Sequence, residues 1–370
     1  MRISATLTLF GALVFALALG VGIHQARPEA RKDRPSASRS DGDSKPVGAD
    51  KHFTPEIEKF VETFTPAGEG IDGAGDMPTP SPEESLRHFT VANGLKMEVV
   101  ASEPVIRQPL NLHFDERGRL WVVQYIQYPF PAGLKVVKYD KYLRAVFDKV
   151  PQPPPHHTHG ADKVTILEDK DGDGLFESHK DFVTGLNIAS SVAVGRGGVF
   201  VLNPPYLLFY PDRNKDDVPD GDPEVCLSGF GLEDTHAVAN NLRWGPDGWL
   251  YGVQGSTTTG HVRGIEFLGQ AIWRYQPETK AFELFAEGGG NPWTLDFDRK
   301  GRIFVGTNNG ATRGLHFVQG GYYVKNWPKH GPLTNPYALG FFPHNIVRFG
   351  AQLYPSIWTL SLLPEVLALE

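Results

Sequence analysis

Cysteine is almost absent from this chain of 370 residues: Cys226 stands alone. One thiol cannot close an internal disulfide. Nor can it supply a Cys-x-x-Cys-His haem site or a cysteine-rich zinc or iron–sulfur centre, so no haem is expected. Basic blocks are also missing from the body of the chain. The 36 Lys and Arg face 43 Asp and Glu, a formal charge of −7, and nucleic acid is therefore not an expected partner. What is abundant points the other way. Hydrophobic residues make up 40%, with 23 Phe, 12 Tyr and 7 Trp, which excludes disorder of the whole chain. The 41 Gly and 30 Pro exceed ordinary usage and favour many short strands joined by turns.

Arg2 precedes an uncharged apolar run from Ile3 to Ile23. That pattern reads as a secretory signal or an N-terminal membrane anchor (residues 1–26), and the chain is expected to be exported to the periplasm or cell envelope. No cysteine follows the run, so a lipoprotein anchor is excluded. Residues 27–80 are rich in Ser, Pro, Gly, Asp and Lys and read as a linker that cannot bury enough apolar surface to fold. The domain, residues 81–370, opens at Ser81-Pro82-Glu83-Glu84, an N-cap with Pro at the first helical position.

Four segments then share one pattern: an alternating apolar strand, a tight turn ending in glycine, and a second β-rich strand. Their turn glycines are Gly118, Gly197, Gly248 and Gly301. Between them lie further strand pairs, Val164–Leu167 with Phe182–Val183, Leu207–Tyr210 with Glu224–Leu227, and Ile272–Tyr275 with Ala281–Phe285. Two hairpins per repeat make a four-stranded blade, and blades in tandem make a β-propeller. The predicted fold is all-β, a propeller of the six-bladed type whose C-terminal end is either degenerate or incomplete. Leu95–Ala101 reads as an extra strand ahead of the first full blade.

Two turns carry carboxylate ladders. Asp169, Asp171 and Asp173 have the first half of a calcium loop, and Asp212, Asn214 and Asp216 repeat it in the next blade. Lys180 stands where an EF-hand has its bidentate Glu, so neither turn is an EF-hand. Any Ca2+ they bind is expected to be structural. His156, His157 and His159 sit in a Pro-rich loop and read either as transition-metal ligands or as a solvated loop.

The segments LKMEVVASEP (from Leu95), FDERGRLWVVQY, DKDGDGLFES, GFGLEDTHAVANNLRWGPDGWLYGVQGST, GGGNPWTLDFDRKGRIFVGTNNG and KHGPLTNPYALG together resemble the membrane-bound-dehydrogenase propellers of planctomycetes and verrucomicrobia. Those are distant relatives of the soluble glucose/sorbosone dehydrogenases, which use pyrroloquinoline quinone (PQQ). The resemblance implies oxidation of a carbohydrate-like small molecule, with electrons leaving to an acceptor that the sequence does not name. Oxidising an alcohol needs a base for the hydroxyl proton, and histidine suits it. By resemblance that base is His236, ahead of the Trp244-Gly-Pro-Asp-Gly turn, and Asn291 lies beside the quinone. Where the quinoproteins usually have an Arg before this Asn, the chain has Gly290, which removes a charge-assisted contact of about 1.5–3 kcal/mol. Arg274, Arg313 and Lys329 are the cations considered as substitutes. Lys329-His330-Gly331-Pro332 resembles a His-Gly-Pro loop of the family and reads either as channel rim or as a plain turn. The rival reading is a non-catalytic, calcium-stabilised propeller that binds glycans or proteins at the cell envelope.

Overall fold

The computed structural model describes residues 80–140, 144–307, 314–325 and 346–347. The signal or anchor, residues 27–79 of the linker, Arg313, Lys329 and His330 lie outside the described residues. Helix α1 (Pro82–Leu86) starts as its sequence dictates: the Ser81 hydroxyl accepts from the Glu84 N–H at 3.1 Å. Among the described residues no helix is long and apolar enough to cross a membrane.

The first sheet is built from β1 (Pro109–Phe114) and β2 (Leu120–Gln124), followed after an inserted hairpin, β3 (Val136–Tyr139) with β4 (Ala145–Phe147), by β5 (Asp162–Glu168) and β6 (Ser178–Leu186). Its strand order is β1-β2-β5-β6, antiparallel throughout. The second holds β7 (Ser191–Gly195), β8 (Gly198–Asn203), β9 (Tyr206–Pro211) and β10 (Glu224–Ser228) in sequence order. In the third, β11 (Ala239–Trp244) and β12 (Leu250–Gln254) are followed by an inserted hairpin, β13 (Thr259–Val262) with β14 (Ile265–Leu268). Then come β15 (Ala271–Gln276) and β16 (Ala281–Gly289). The fourth contains β17 (Pro292–Phe297), β18 (Ile303–Thr307) and β19 (Gly314–Phe317). Strand β20 (Tyr322–Lys325) returns to lie parallel to β16, and β21 (Ile346–Val347) pairs with β19.

These sheets stack face to face as propeller blades. Trp121 packs with Val192, Val201 and Leu208 between the first and second, and Trp273 with Phe200, Leu202 and Leu207 between the second and third. Tyr251, Val253 and Ile272 meet Leu295 and Val305 between the third and fourth. The leading strands are also laced together by one repeated contact. The Val192 N–H donates to Asn111 Oδ1 (3.1 Å), the Leu242 N–H to Ser191 Oγ (2.7 Å) and the Leu295 N–H to Asn241 Oδ1 (2.9 Å). A polar side chain at one place in each blade thus satisfies a backbone donor of the next. The described residues form a β-propeller arrangement of four blades. One expectation fails: residues 95–100 form no strand, and Leu95, Met97 and Val100 are exposed. Their alternation supplies an apolar face, but among the described residues no neighbouring strand pairs with them.

The same seam contains His113, whose Nε2 accepts from the Val194 N–H at 3.4 Å. Burial first, then Arg243, lowers its pKa from 6.5 to about 4 against the pull of Asp115 and Glu116. The folded pKa lies below the unfolded one, so between those values the unfolded chain binds a proton that the folded chain refuses. Stability from His113 is therefore lost as pH falls from about 6.5 to about 4. Asp162, pushed up to about 6 by burial against four backbone N–H donors, acts in the opposite sense between its ordinary value and 6. The expected result is that His113→Gln, compared with the native chain, loses melting temperature less steeply on acidification through this window. Parallel melting curves would remove His113 from the account.

Candidate functional site

In the third and fourth blades the leading strands β11 and β17 begin at the same end of their sheets at which β12 and β18 finish. Loops entering a first strand and loops leaving a second strand therefore meet on one rim. His236 lies three residues before β11, Asn291 immediately before β17, Ser256 and Thr257 just after β12, and Tyr128 in the insertion that follows β2.

Two hydrogen-bonded groups, joined by the Ser256–Thr257 peptide, bring these residues together. His236 Nδ1 lies 3.2 Å from Asp234 Oδ1, and the His236 backbone N–H donates to that same oxygen at 3.0 Å. A carboxylate can only accept, so the Nδ1 position carries the proton. Nε2 is then left as the acceptor, and the Tyr128 hydroxyl donates to it. Tyr128 also meets the imidazole edge-on, with ring centroids 5.0 Å apart, and stacks on Tyr125 at 5.3 Å. Burial and then the Asp234 charge raise the Tyr128 pKa, which keeps its hydroxyl a donor. The other Asp234 oxygen accepts from the Thr257 hydroxyl, and next in sequence the Ser256 N–H donates to Asn291 Oδ1 at 2.7 Å. His236 and Asn291 thus share one rim. The imidazole is 70% exposed and can be reached from solvent.

The loop that delivers Tyr128 is fixed from below. Asp162, fully buried, accepts from the N–H groups of Gln127 (2.6 Å) and Ala189 (2.8 Å), and the Tyr125 hydroxyl donates to the Thr235 carbonyl at 3.0 Å. Local sequence signals none of this. Asp234 could have been found from its place two residues before a histidine, but Tyr128 and Thr257 reach the site only through tertiary folding.

The two carboxylate turns share their backbone caps but differ in how many acidic side chains they gather. Carboxylate oxygens of Asp169, Asp171, Asp173 and Glu177 all lie within 4.8 Å of one another, so Glu177, not the residue at Lys180, completes the ladder. Among the described residues no third carboxylate or imidazole joins Asp212 and Asp216 in such a group. Asp212 caps the N–H groups of Asp216 and Asp217, the Asn214 amide donates to Asp216, and Asp217 is held by Arg119 at 2.7 Å. His157 and His159 stack at 4.8 Å, and His157 Nε2 is 2.9 Å from the Gly185 carbonyl, a contact that closes the loop. Arg274 is not at the rim: it is committed to Glu283 (2.6 Å) and Asp247 (3.3 Å) and lies over Trp249 at 4.4 Å, towards the turn end of its blade.

Residues 81–339 match the family described as a domain of unknown function, DUF7133. The chain belongs to this family. No curated protein matches it. Among solved structures, the DUF7133 chain is similar to the PQQ-bound aldose sugar dehydrogenase of Streptomyces coelicolor, at 15% identity over 63% of this chain and 65% of that one, with a TM-score of 0.40. It is similar also to the PQQ domain of a Coprinopsis cinerea pyranose dehydrogenase (12% identity, 64% and 50% covered, TM-score 0.37). A calcium structure of the Trichoderma reesei carbohydrate-active enzyme of family AA12 gives 13% identity, 76% and 64% covered, and a TM-score of 0.40. The chain spans less than two thirds of each of these.

PQQ carries three carboxylates, and the described rim of the DUF7133 chain does not fit them. Of the described residues joined to Asp234, His236 or Thr257, the one cation is Arg144, whose Nη1 donates to the Thr257 carbonyl at 3.4 Å. Asp140 already holds Arg144 at 2.7 Å. Asp234 and the neighbouring Glu233 add negative charge, and at Gly290, where an Arg would extend over the quinone, only a backbone N–H is present, donating to Thr307 Oγ1 at 3.0 Å. Hydroxyls, an imidazole, a carboxylate and an aromatic face suit a neutral polyol better than a trianion.

Proposed function

We propose that this chain is an exported propeller that binds a carbohydrate-like molecule at the rim and draws a hydroxyl proton onto His236. The observation that carries this reading is the Asp234–His236–Tyr128 chain. The carboxylate fixes the tautomer, Nε2 is the acceptor, and the Tyr128 hydroxyl either yields its place to a substrate hydroxyl or passes the proton on. Proton removal of this kind is half of an alcohol oxidation, in keeping with the resemblance to the membrane-bound-dehydrogenase propellers. The other half needs a hydride acceptor, for which that resemblance implies a quinone. Of the residues expected to meet PQQ, the substitute cations Arg313 and Lys329 and the loop residue His330 lie outside the described residues, and no step is derived through the quinone. The second reading, a carbohydrate-binding propeller without redox chemistry, is favoured by the commitment of Arg144 to Asp140.

Purified full chain, incubated with calcium and PQQ, would be offered a panel of sugars and sugar alcohols while dye reduction and sugar binding are both followed. PQQ-dependent dye reduction supports the oxidation. Binding without reduction supports the second reading, and absence of both overturns the rim as a carbohydrate site.

The Asp169 turn is the proposed calcium site. Four carboxylates with hard oxygen donors suit calcium, and backbone N–H groups of Gly172 (2.7 Å) and Gly174 (2.9 Å) hold Asp169 in place. Its pKa is lowered, chiefly by the Gly174 contact. Millimolar calcium is expected to raise the melting temperature of the native chain but not of Asp171→Asn combined with Asp173→Asn. An equal rise in both, or in neither, would discard the site.

A further inference from the structure

Beneath the rim lies a buried charge. Asp162, the first residue of β5, is fully buried, and backbone N–H groups hold its carboxylate. The Gln127 N–H donates to Oδ1 at 2.6 Å and the Ala189 N–H to Oδ2 at 2.8 Å, with Ile126 and Ile188 contributing beside them. None of these partners carries a charge. The two oxygens fasten two separate segments, the insertion that follows β2 and the link from β6 to β7. The Gln127 side chain tightens the first of these, accepting from the Ala161 N–H at 3.0 Å and donating to the Phe130 carbonyl at 2.7 Å. Tyr128 comes directly after Gln127, and its hydroxyl donates to His236 Nε2. One peptide therefore separates the clasped N–H from the residue that meets the imidazole.

Such a clasp is sensitive to one proton. An ionised carboxylate accepts at both oxygens, whereas a protonated one turns an O–H towards an N–H and cannot hold it. The contact that remains loses its charge assistance. Burial, opposed by the four N–H groups, pushes the Asp162 carboxyl up to about 6. Protonation relieves the cost of the buried charge, so the fold as a whole does not weaken while the clasp does. The ionisable neighbours on each side are accounted for. In the insertion, burial and then the Asp162 charge raise the Tyr125 hydroxyl well above its ordinary value, so it stays a donor to the Thr235 carbonyl at 3.0 Å. In the sheet, Lys163 and Asp181 pair with each other at 3.1 Å. In the loop before β5, His157 turns Nε2 to the Gly185 carbonyl at 2.9 Å, and His159 stacks on His157. Residues 187–190 carry no ionisable side chain.

We infer that Asp162 is a proton-operated latch on the loop that carries Tyr128. Ionised, it seats Tyr128 against His236 and the stacked face of Tyr125; protonated, it releases the loop, and the rim loses its hold on a sugar. Asp162 is a positioning residue, since it acts through the loop and touches nothing that reacts. The effect on sugar rests on the reading of the rim as a carbohydrate site; the latch itself does not.

The first measurement needs no change at Asp162. In isotope-labelled full chain, the NMR signals of the Gln127 and Ala189 amides and of the Tyr128 ring are followed from about pH 8 down to about pH 4.5. Histidine ordinarily takes up a proton in the same window, so the titration is repeated on His236→Ala. Both amides are expected to move together with one midpoint near 6, and the Tyr128 ring to follow with that midpoint in both proteins. The second measurement is calorimetric titration with neutral sugars. Acidification from about pH 7.5 to about pH 5 should weaken binding to the native chain by at least about threefold. Asp162→Asn presents an NH2 where one oxygen accepted, so it should bind at least about threefold more weakly at the higher pH and lose less on acidification. Amides that do not move, a Tyr128 ring that does not follow them, or the same pH dependence of binding in the native chain and Asp162→Asn would overturn the latch. If no sugar binds the native chain, the carbohydrate reading fails, and the NMR midpoints alone decide for or against the latch.

Discussion

Replacing Arg119 by Met is expected to cost about 3–5 kcal/mol of stability, the range for removing one partner of a buried ion pair. In a domain of this size that is a fall in melting temperature on the order of 10 °C. Arg119 is 8% exposed in its side chain, Asp115 only 1% and Asp217 19%. The guanidinium reaches Asp115 at 2.8 Å within the turn of the first blade and Asp217 at 2.7 Å in the second. Methionine fills much of the volume but leaves two carboxylates facing each other with little water. Burial by itself would push the Asp115 carboxyl up. The Trp121 indole N–H, the backbone N–H groups of Arg119 and Arg117 and the Arg119 side chain outweigh it, and its pKa is lowered. An exposed pair such as Lys96–Glu98 is worth no more than about 1 kcal/mol and serves as the control. Asp217→Asn should cost less than Arg119→Met, because Arg119 keeps Asp115. A loss below about 1 kcal/mol for Arg119→Met would show that the Arg119 ion pairs do not hold the first two blades together.

His236→Ala is expected to lower turnover by at least about 10², the lower end of what a positioned general base contributes, while leaving substrate affinity less affected. Asp234→Asn should also lower turnover. An amide can offer its N–H to Nδ1 and so favour the tautomer that protonates Nε2, the atom that must accept. Tyr128→Phe tests whether the hydroxyl relays the proton: a relay predicts a loss in kcat, whereas a displaced hydroxyl predicts little change or a gain. Steady-state rates across the sugar panel that are equal for the native chain and His236→Ala would remove His236 from the chemistry.

The blades were legible in the sequence because each hairpin is a local event. Gly118, Gly197, Gly248 and Gly301 all adopt φ between +75° and +79°, a region that favours glycine, and each closes the turn its neighbours announce. Strand alternation then fixes which faces meet. Long-range partnerships left no such mark. Tyr128 meets His236 across 108 positions and Arg119 meets Asp217 across 98, and neither pair shows a periodicity or spacing to read. The second Asp-rich turn resembled the first because its residue types are the same, but only the first gathers a fourth acidic side chain, Glu177. The segment at Leu95 forms no strand although its alternation is real, because alternation supplies faces and not a pairing partner.

The proposed function requires that Asp234, His236 and Tyr128 at the rim engage a neutral polyol. Calorimetric titration of the full chain with a panel of neutral sugars, repeated on His236→Ala, is the most direct measurement of that claim. At least one sugar should bind the native chain and bind His236→Ala at least about tenfold more weakly, a difference of about 1.4 kcal/mol. A panel in which no sugar binds the native chain, or in which every sugar that binds does so equally in both proteins, would contradict it.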